Sequence, residues 1–248
     1  MFEGLVTAVR TLTVLPFPGK DAERFSDSLY WFPLVGLLLG AAQALLAWAG
    51  AATGWDELAA LLVLLAGVLL TRGIHADGLA DLADGFFGGR EREKRLRIMK
   101  DPTVGSFGAV ALILLMLLKW IAALRLIQYG AYGVIASGVV LARMAQVILA
   151  ERLPYARSEG GTAVSFVNGA GIGHLLVALL SASFFISMLM RFDPLAVSVL
   201  LITSFLTAAG VAVLSWRMIG GVTGDVLGAV SELTEAVVWT SGALLLFH

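Results

Sequence analysis

The chain has 248 residues, 59% of them hydrophobic and only 14% charged, with 17 Lys and Arg against 18 Asp and Glu for a formal net charge of −1. A soluble domain is about 45–50% apolar and about 25% charged, so this chain has too little polar sequence to coat a globule in water, and the alternating strands of a membrane barrel are absent. Cysteine is missing, which removes disulfides, thiolate metal sites and cysteine nucleophiles, and no long basic tract outside residues 90 to 100 points to nucleic acid.

The amino terminus, "MFEGLVTAVRTLTVLPFPGK", lacks a basic start and a small-residue cleavage site, and Glu3 precedes its apolar part. It reads as an amphipathic helix and not as a signal peptide. Runs such as "WFPLVGLLLGAAQALLAWAGAA" and "LLVALLSASFFISMLM" are nearly charge-free and have the length of spans, which take about 17–25 residues. Spans are expected at about 31–50, 57–72, 107–127, 131–150, 172–191 and 195–214, with a final apolar helix at about 235–247. The expected fold is all-α: a polytopic integral membrane protein with about six to seven transmembrane helices plus the amphipathic N-terminal helix. No linker is long or polar enough to divide residues 1–248 into two domains. Arg72, Arg90, Arg92, Lys94, Arg95, Arg97 and Lys100 crowd into one long connection, and the positive-inside bias places it in the cytoplasm.

The stretch "RGIHADGLADLADGFFGG", residues 72 to 89, follows an apolar run. If Asp77 to Asp84 is helical, spacings of four and three at about 100° per residue bring Asp77, Asp81 and Asp84 within roughly 60° of one another. Ionisable groups at a membrane boundary are expensive, and clustered oxygen ligands suit Mg²⁺ or Mn²⁺ together with a substrate phosphate. Gly73, Gly78, Gly85, Gly88 and Gly89 serve either close approach to a bulky ligand or helix packing. His75 is open to three roles: ligand, proton carrier or hydrogen-bonded interface residue. The run "REREKR" reads as a solvated helix face. Beyond it, Arg97, Lys100 and Asp101 approach the next span, where cations either hold an anionic substrate or anchor the helix at headgroups.

The loop "YARSEGGTAVSFVN" offers Tyr155, Arg157, Ser165 and Asn168 for substrate or for plain connection. In "GGVTGDVLGAVSELTEAV", Thr223 is a candidate cap, and Asp225, Glu232 and Glu235 share a broad helix face that runs into apolar sequence. Two acid clusters on one expected side of the membrane suggest two halves of one site. Enzyme and cation or solute transporter fit these features about equally, since acids with glycine-broken helices also mark ion routes.

"HADGLADLADGFFGG" followed by "RLRIMKDPTVGSFG", with "FPLVGLLLG" before and "GGVTGDVLGAVSELTE" near the carboxyl end, resembles the cobalamin synthase family, the adenosylcobinamide-GDP ribazoletransferases. The likeness runs from "RTLTVLPFPG" to the last acidic helix. "DLADG" is also similar to the start of the CDP-alcohol phosphotransferase motif, whose Arg and later acids do not follow at the usual distances. The resemblance implies that adenosylcobinamide-GDP is joined to α-ribazole, or its 5′-phosphate, at the cell (inner) membrane, with release of GMP and dependence on Mg²⁺. It further implies Asp77, Asp81, Asp84 and Asp225 as metal ligands. Catalytic acids would be Asp84, Asp225 and Glu232, and substrate-binding residues His75, Arg97, Lys100, Asp101, Tyr155, Arg157 and Asn168. Beyond the lipid bilayer, copies of the same chain and other cobalamin-assembly enzymes are the partners to look for.

Overall fold

The computed structural model describes residues 2–245, and among them every long element is a helix. In chain order these are α1 (Phe2–Leu12), a 3-10 segment (Phe25–Trp31), α2 (Phe32–Ala51), α3 (Asp56–Leu70), α4 (Ile74–Gly88), α5 (Arg92–Ile98), α6 (Ser106–Gln128), α7 (Tyr132–Arg152), α8 (Val164–Val167), α9 (Ile172–Leu189), α10 (Pro194–Ile219) and α11 (Gly224–Leu245). The 3-10 segment with α2, and α6, α7, α9 and α10, are each long and apolar enough to cross a membrane. The pair α3 and α4 passes that test together but is bent by 87°, and α11 has 22 residues but carries three acids. The expected all-α polytopic membrane fold is therefore the one observed.

Helix α7 is the central post, with 89% of its most apolar window buried, whereas the same measure is 28% for α6 and α9 and 22% for α10. The latter three present Ile113, Leu114, Leu180 and Leu206 outward, as lipid-facing helices do. Helices α2, α9, α10 and α11 all pack on α7. Gly36 and Gly40, one turn apart on α2, lie so close to the α7 backbone that a Cβ on Gly40 would come within 2.7 Å of the Ala136 carbonyl oxygen. Small residues at that spacing let membrane helices meet at the backbone, where dispersion replaces the missing hydrophobic drive.

Local chemistry sets the ends. Asp193 caps α10 by accepting from the Leu195 and Ala196 N–H groups at 2.9 and 3.2 Å, Pro194 follows at the first helical position, and Gly220 at φ 72° ends the helix. The observed α10 runs on to Ile219, past the expected boundary at 214, because nothing before Gly220 breaks it. The expected helix at 235–247 is the second half of α11, which starts at Gly224; residues 246–247 lie outside the described residues.

The run "REREKR" is not a wholly solvated face. Arg92 donates to the Ile219 and Ala156 carbonyls at 2.8 and 2.6 Å, and Arg95 to Met218 at 3.0 Å. These arginines close the carboxyl end of α10, where unpaired carbonyls and the helix dipole favour cations. An isolated bridge between Tyr155 and Val222 fastens the 153–171 connection to the start of α11. Arg10 pairs with Asp21 at 2.9 Å and the Val14 N–H donates to Leu70 at 2.8 Å, so the amphipathic α1 folds back onto this same end of the bundle. At the opposite end the indole N–H of Trp120 donates to the Glu57 carbonyl at 3.2 Å.

Candidate active site

The corner between α3 and α4 carries the aspartates to their place. Arg72 and Gly73 both sit at positive φ, 55° and 67°, and the Gly73 N–H closes the end of α3 on the Val68 carbonyl at 2.8 Å. The chain turns through 87°, so α4 lies across the bundle end instead of continuing α3. It packs on α11 and α6, and Gly78 on α4 meets α11 so closely that a Cβ there would stand 2.8 Å from the Asp225 carbonyl oxygen. Gly228 on α11 meets the His75 backbone in return, at 3.1 Å. These glycines serve packing, and that packing is what sets Asp77 and Asp81 against Asp225.

Asp77, Asp81 and Asp225 act on one another electrostatically, together with Arg157. Arg157 donates to Asp225 Oδ2 at 2.7 Å and to the Met99 carbonyl at 3.3 Å, and the Thr223 hydroxyl also reaches that carboxylate at 3.1 Å. Asp84 also acts on Asp81, more weakly than Asp77 and Asp225 do, but its oxygens are engaged elsewhere. Its Oδ2 accepts from the Gly105 N–H at 2.7 Å and its Oδ1 from the Gly108 N–H at 2.9 Å, so it caps the amino end of α6 from a neighbouring helix. The spacing that put Asp84 beside Asp77 and Asp81 is right for the helix face, but both of its oxygens are engaged by backbone donors.

Glu232 leaves the cluster. Lys119, near the middle of α6, lies 2.9 Å from Glu232 Oε2 and 2.7 Å from Glu235 Oε1, with all three side chains buried. Arg143 on α7 donates to the Ser231 hydroxyl beside them. Two cations and two anions thus neutralise one another inside the bundle, as buried charges must. Lys119 and Arg143, on helices whose spacing does not link them to these acids, are the part that spacing missed. His75 is 3% exposed, lies in reach of Lys119 and Arg143, and lines cavities on both sides of itself.

Two clefts open beside the acids. One, of about 270 Å³, is mainly cationic, lined by Arg92, Arg97, Lys100 and Arg157 with Glu93, Ser158 and Glu159. Lys100 pairs with Glu159 at 2.6 Å, and that bond holds the exposed Glu159 carboxyl below its ordinary range. The other, of about 370 Å³, has Asp77 and Asp225 at one side and apolar walls that include Leu12, Phe32 and Phe166. Since Arg157 lines the first and grips Asp225 of the second, the ion pair is a shared wall.

Tyr155 is half-buried beside Arg157, and burial pushes its phenol up from the ordinary value. Asp101 is exposed and accepts from the Thr103 N–H at 3.0 Å and from its hydroxyl, which holds its carboxyl low; it shapes the turn into α6. Asn168 is exposed after α8 and lines neither cleft. The structure therefore brings together Asp77, Asp81, Asp225, Arg157, Arg97 and Lys100, with His75 and Tyr155 at the edges. Among the described residues no group of three or more His, Asp or Glu side chains is arranged as a ready metal cage. The side chains of Asp77, Asp81 and Asp225 nonetheless offer only oxygen donors, the chemistry Mg²⁺ takes when one or two carboxylates share it with substrate phosphates and water.

Residues 4–243 match the protein family described as Cobalamin-5-phosphate synthase. The chain is 63% identical over 246 residues to the adenosylcobinamide-GDP ribazoletransferase of Chlorobaculum parvum, covering 99% of this chain and 97% of that one. It is 60% identical to the protein of the same name from Prosthecochloris aestuarii, covering all of both. A more distant namesake in Syntrophobacter fumaroxidans is 38% identical over 241 residues, 96% of this chain and 92% of the other. No solved structure matches the chain.

Proposed function

The chain belongs to the cobalamin-5-phosphate synthase family and is a transferase of cobalamin assembly, and from that premise we propose that it joins adenosylcobinamide-GDP to α-ribazole or its 5′-phosphate at the Asp77, Asp81 and Asp225 cluster. The observation that carries this reading is the Arg157–Asp225 pair at 2.7 Å, which sets a cationic cleft directly against a carboxylate cluster. Transfer between phosphates is mainly positioning and charge neutralisation, and needs both kinds of group within reach of one phosphorus.

In this reading Arg97, Lys100 and Arg157 hold the diphosphate and the departing GMP. A ribazole hydroxyl oxygen bonds to the phosphorus on the corrinoid side, the bridging P–O bond breaks, and GMP leaves with the electron pair. Asp81, half-exposed and in reach of Asp77 and Asp225, accepts the hydroxyl proton. Asp77 and Asp225 would hold a Mg²⁺ with Asp81, and the ion when bound would neutralise diphosphate charge. Asp84 and Glu232 stand outside the chemistry, as cap and as ion-pair partner.

Purified protein in nanodiscs should release GMP from adenosylcobinamide-GDP only when α-ribazole or its phosphate and a divalent cation are all present, as followed by chromatography. Cation flux in liposomes without GMP would replace the enzyme by a transporter. The multi-pass chain is further proposed to lie in the inner membrane with the site toward the cytoplasm, on the strength of the basic residues around α5. Cysteine labels at Lys94 and Ser158 should then react from the cytoplasmic side and one at Gly54 from the other; labels at Lys94 and Ser158 reacting from opposite faces would dismantle the site.

A further inference from the structure

The reading above leaves open where the second substrate sits. We propose that the cavity of about 370 Å³ between α1, α4, α7, α8 and α11 is the seat of the acceptor, taking the flat apolar base of α-ribazole, with Gln146 as the residue that selects it. This rests on the transferase reading and names the half of the site for the uncharged substrate.

The walls fit that chemistry. Phe32 and Phe166 line the cavity with ring centroids 6.4 Å apart, and Phe25 meets Phe166 edge-on at 5.7 Å behind it. Aromatic faces of this kind stack on planar heterocycles. No Lys or Arg lines the cavity, so nothing there compensates a phosphate, whereas the neighbouring cleft carries four cations against two anions, Glu93 and Glu159. A guanine nucleotide belongs in the cationic cleft, and the corrinoid ring system is too large for about 370 Å³. An uncharged base with a sugar is what remains.

Gln146 supplies the selecting contact. It is 3% exposed, and its Nε2 donates to the Leu227 carbonyl at 3.1 Å, which fixes the amide. Its Oε1 is buried without a protein partner while the residue lines the cavity. A buried acceptor left unpaired is costly, and a sugar hydroxyl is a donor that would satisfy it. Asp77 and Asp225 at the cavity's acidic side then face the sugar of a ligand whose base lies among the phenylalanines. If the ribazole carries a 5′-phosphate, that group must project out toward Arg157.

The test separates the two substrates. In the Gln146→Leu and Phe166→Ala proteins the KM for α-ribazole should rise at least about tenfold, as loss of one good contact of about 1.4 kcal/mol implies, while the KM for adenosylcobinamide-GDP stays within about twofold. Arg97→Ala should show the reverse split. Phe166→Leu, which keeps an apolar wall, should fall between wild type and Phe166→Ala, and melting curves show that each variant is folded. Equal rises in both KM values, or an unchanged ribazole KM in both variants, would overturn the assignment. Calorimetric binding of α-ribazole needs no turnover. Protein that binds α-ribazole through these residues yet releases no GMP would therefore sink the transferase reading and support the pocket, and GMP release with unaltered ribazole affinity in both variants would sink the pocket alone.

Discussion

Replacing Asp81 by Asn should lower GMP release by about 10²–10⁴-fold, the range a positioned general base supplies, while the melting temperature stays near that of the unaltered protein. The amide keeps the size of the side chain but cannot take the proton. It also removes one charge from a crowded acid group, so folding loses nothing. Asp84→Asn should behave the other way. An amide oxygen can serve only one of the two N–H groups of Gly105 and Gly108, and its NH₂ then points at the other. A buried donor left without an acceptor costs about 1–3 kcal/mol, and loss of the anion at the amino end of α6 adds to that. The readouts are GMP release and thermal melting on the same preparations. Near-normal activity in Asp81→Asn, or identical melting of the two variants, would break the division between proton acceptor and cap.

Lys119→Met should be the most destabilising single change in the bundle, by about 3–5 kcal/mol, because it strands Glu232 and Glu235 against Arg143 alone. Adding Glu232→Gln to it restores charge balance, one cation to one anion, so the double variant should melt well above the single one. Glu232→Gln alone should cost stability before it costs chemistry. A Glu232→Gln protein that melts normally but releases no GMP would return Glu232 to the catalytic machinery, as the sequence expectation had it.

Part of this arrangement is legible in the sequence, and the rest is not, for identifiable reasons. Asp77 and Asp81 share a face because helix geometry requires it, and their meeting with Asp225 follows once Gly78 and Gly228 let two helices touch. The face argument also joined Asp225 to Glu232, since seven residues are nearly two whole turns. It ignored depth. Seven residues at about 1.5 Å each displace Glu232 by about 10 Å along α11, out of the diphosphate layer and into that of Lys119. The capping contacts of Asp84 were not legible because an acid's acceptor use depends on which backbone donors arrive opposite it, here the amino end of α6, and no spacing within α4 reports that. Arg92 and Arg95 looked solvated for the same reason, their carbonyl partners Ala156, Met218 and Ile219 lying 64 to 127 residues away. Tyr155 and Arg157 were placed in a loop and stay there, held by a bridge to Val222 that only the fold reveals.

The pairing of Lys119 and Arg143 with Glu232 and Glu235 also imposes an order on the making of the protein. A ribosome reads from the amino end, so the two cations enter the membrane with α6 and α7 well before the two anions have been synthesised. Until residue 235 emerges, those charges have no permanent counterpart in lipid, and α6 and α7 cannot settle as they stand in the finished bundle. The last helix is therefore both a wall of the site and the piece that discharges the interior, so the bundle becomes electrically complete only when α11 docks. The same docking brings Asp225 to Asp77 and Asp81, so no partly built chain has an assembled acid cluster.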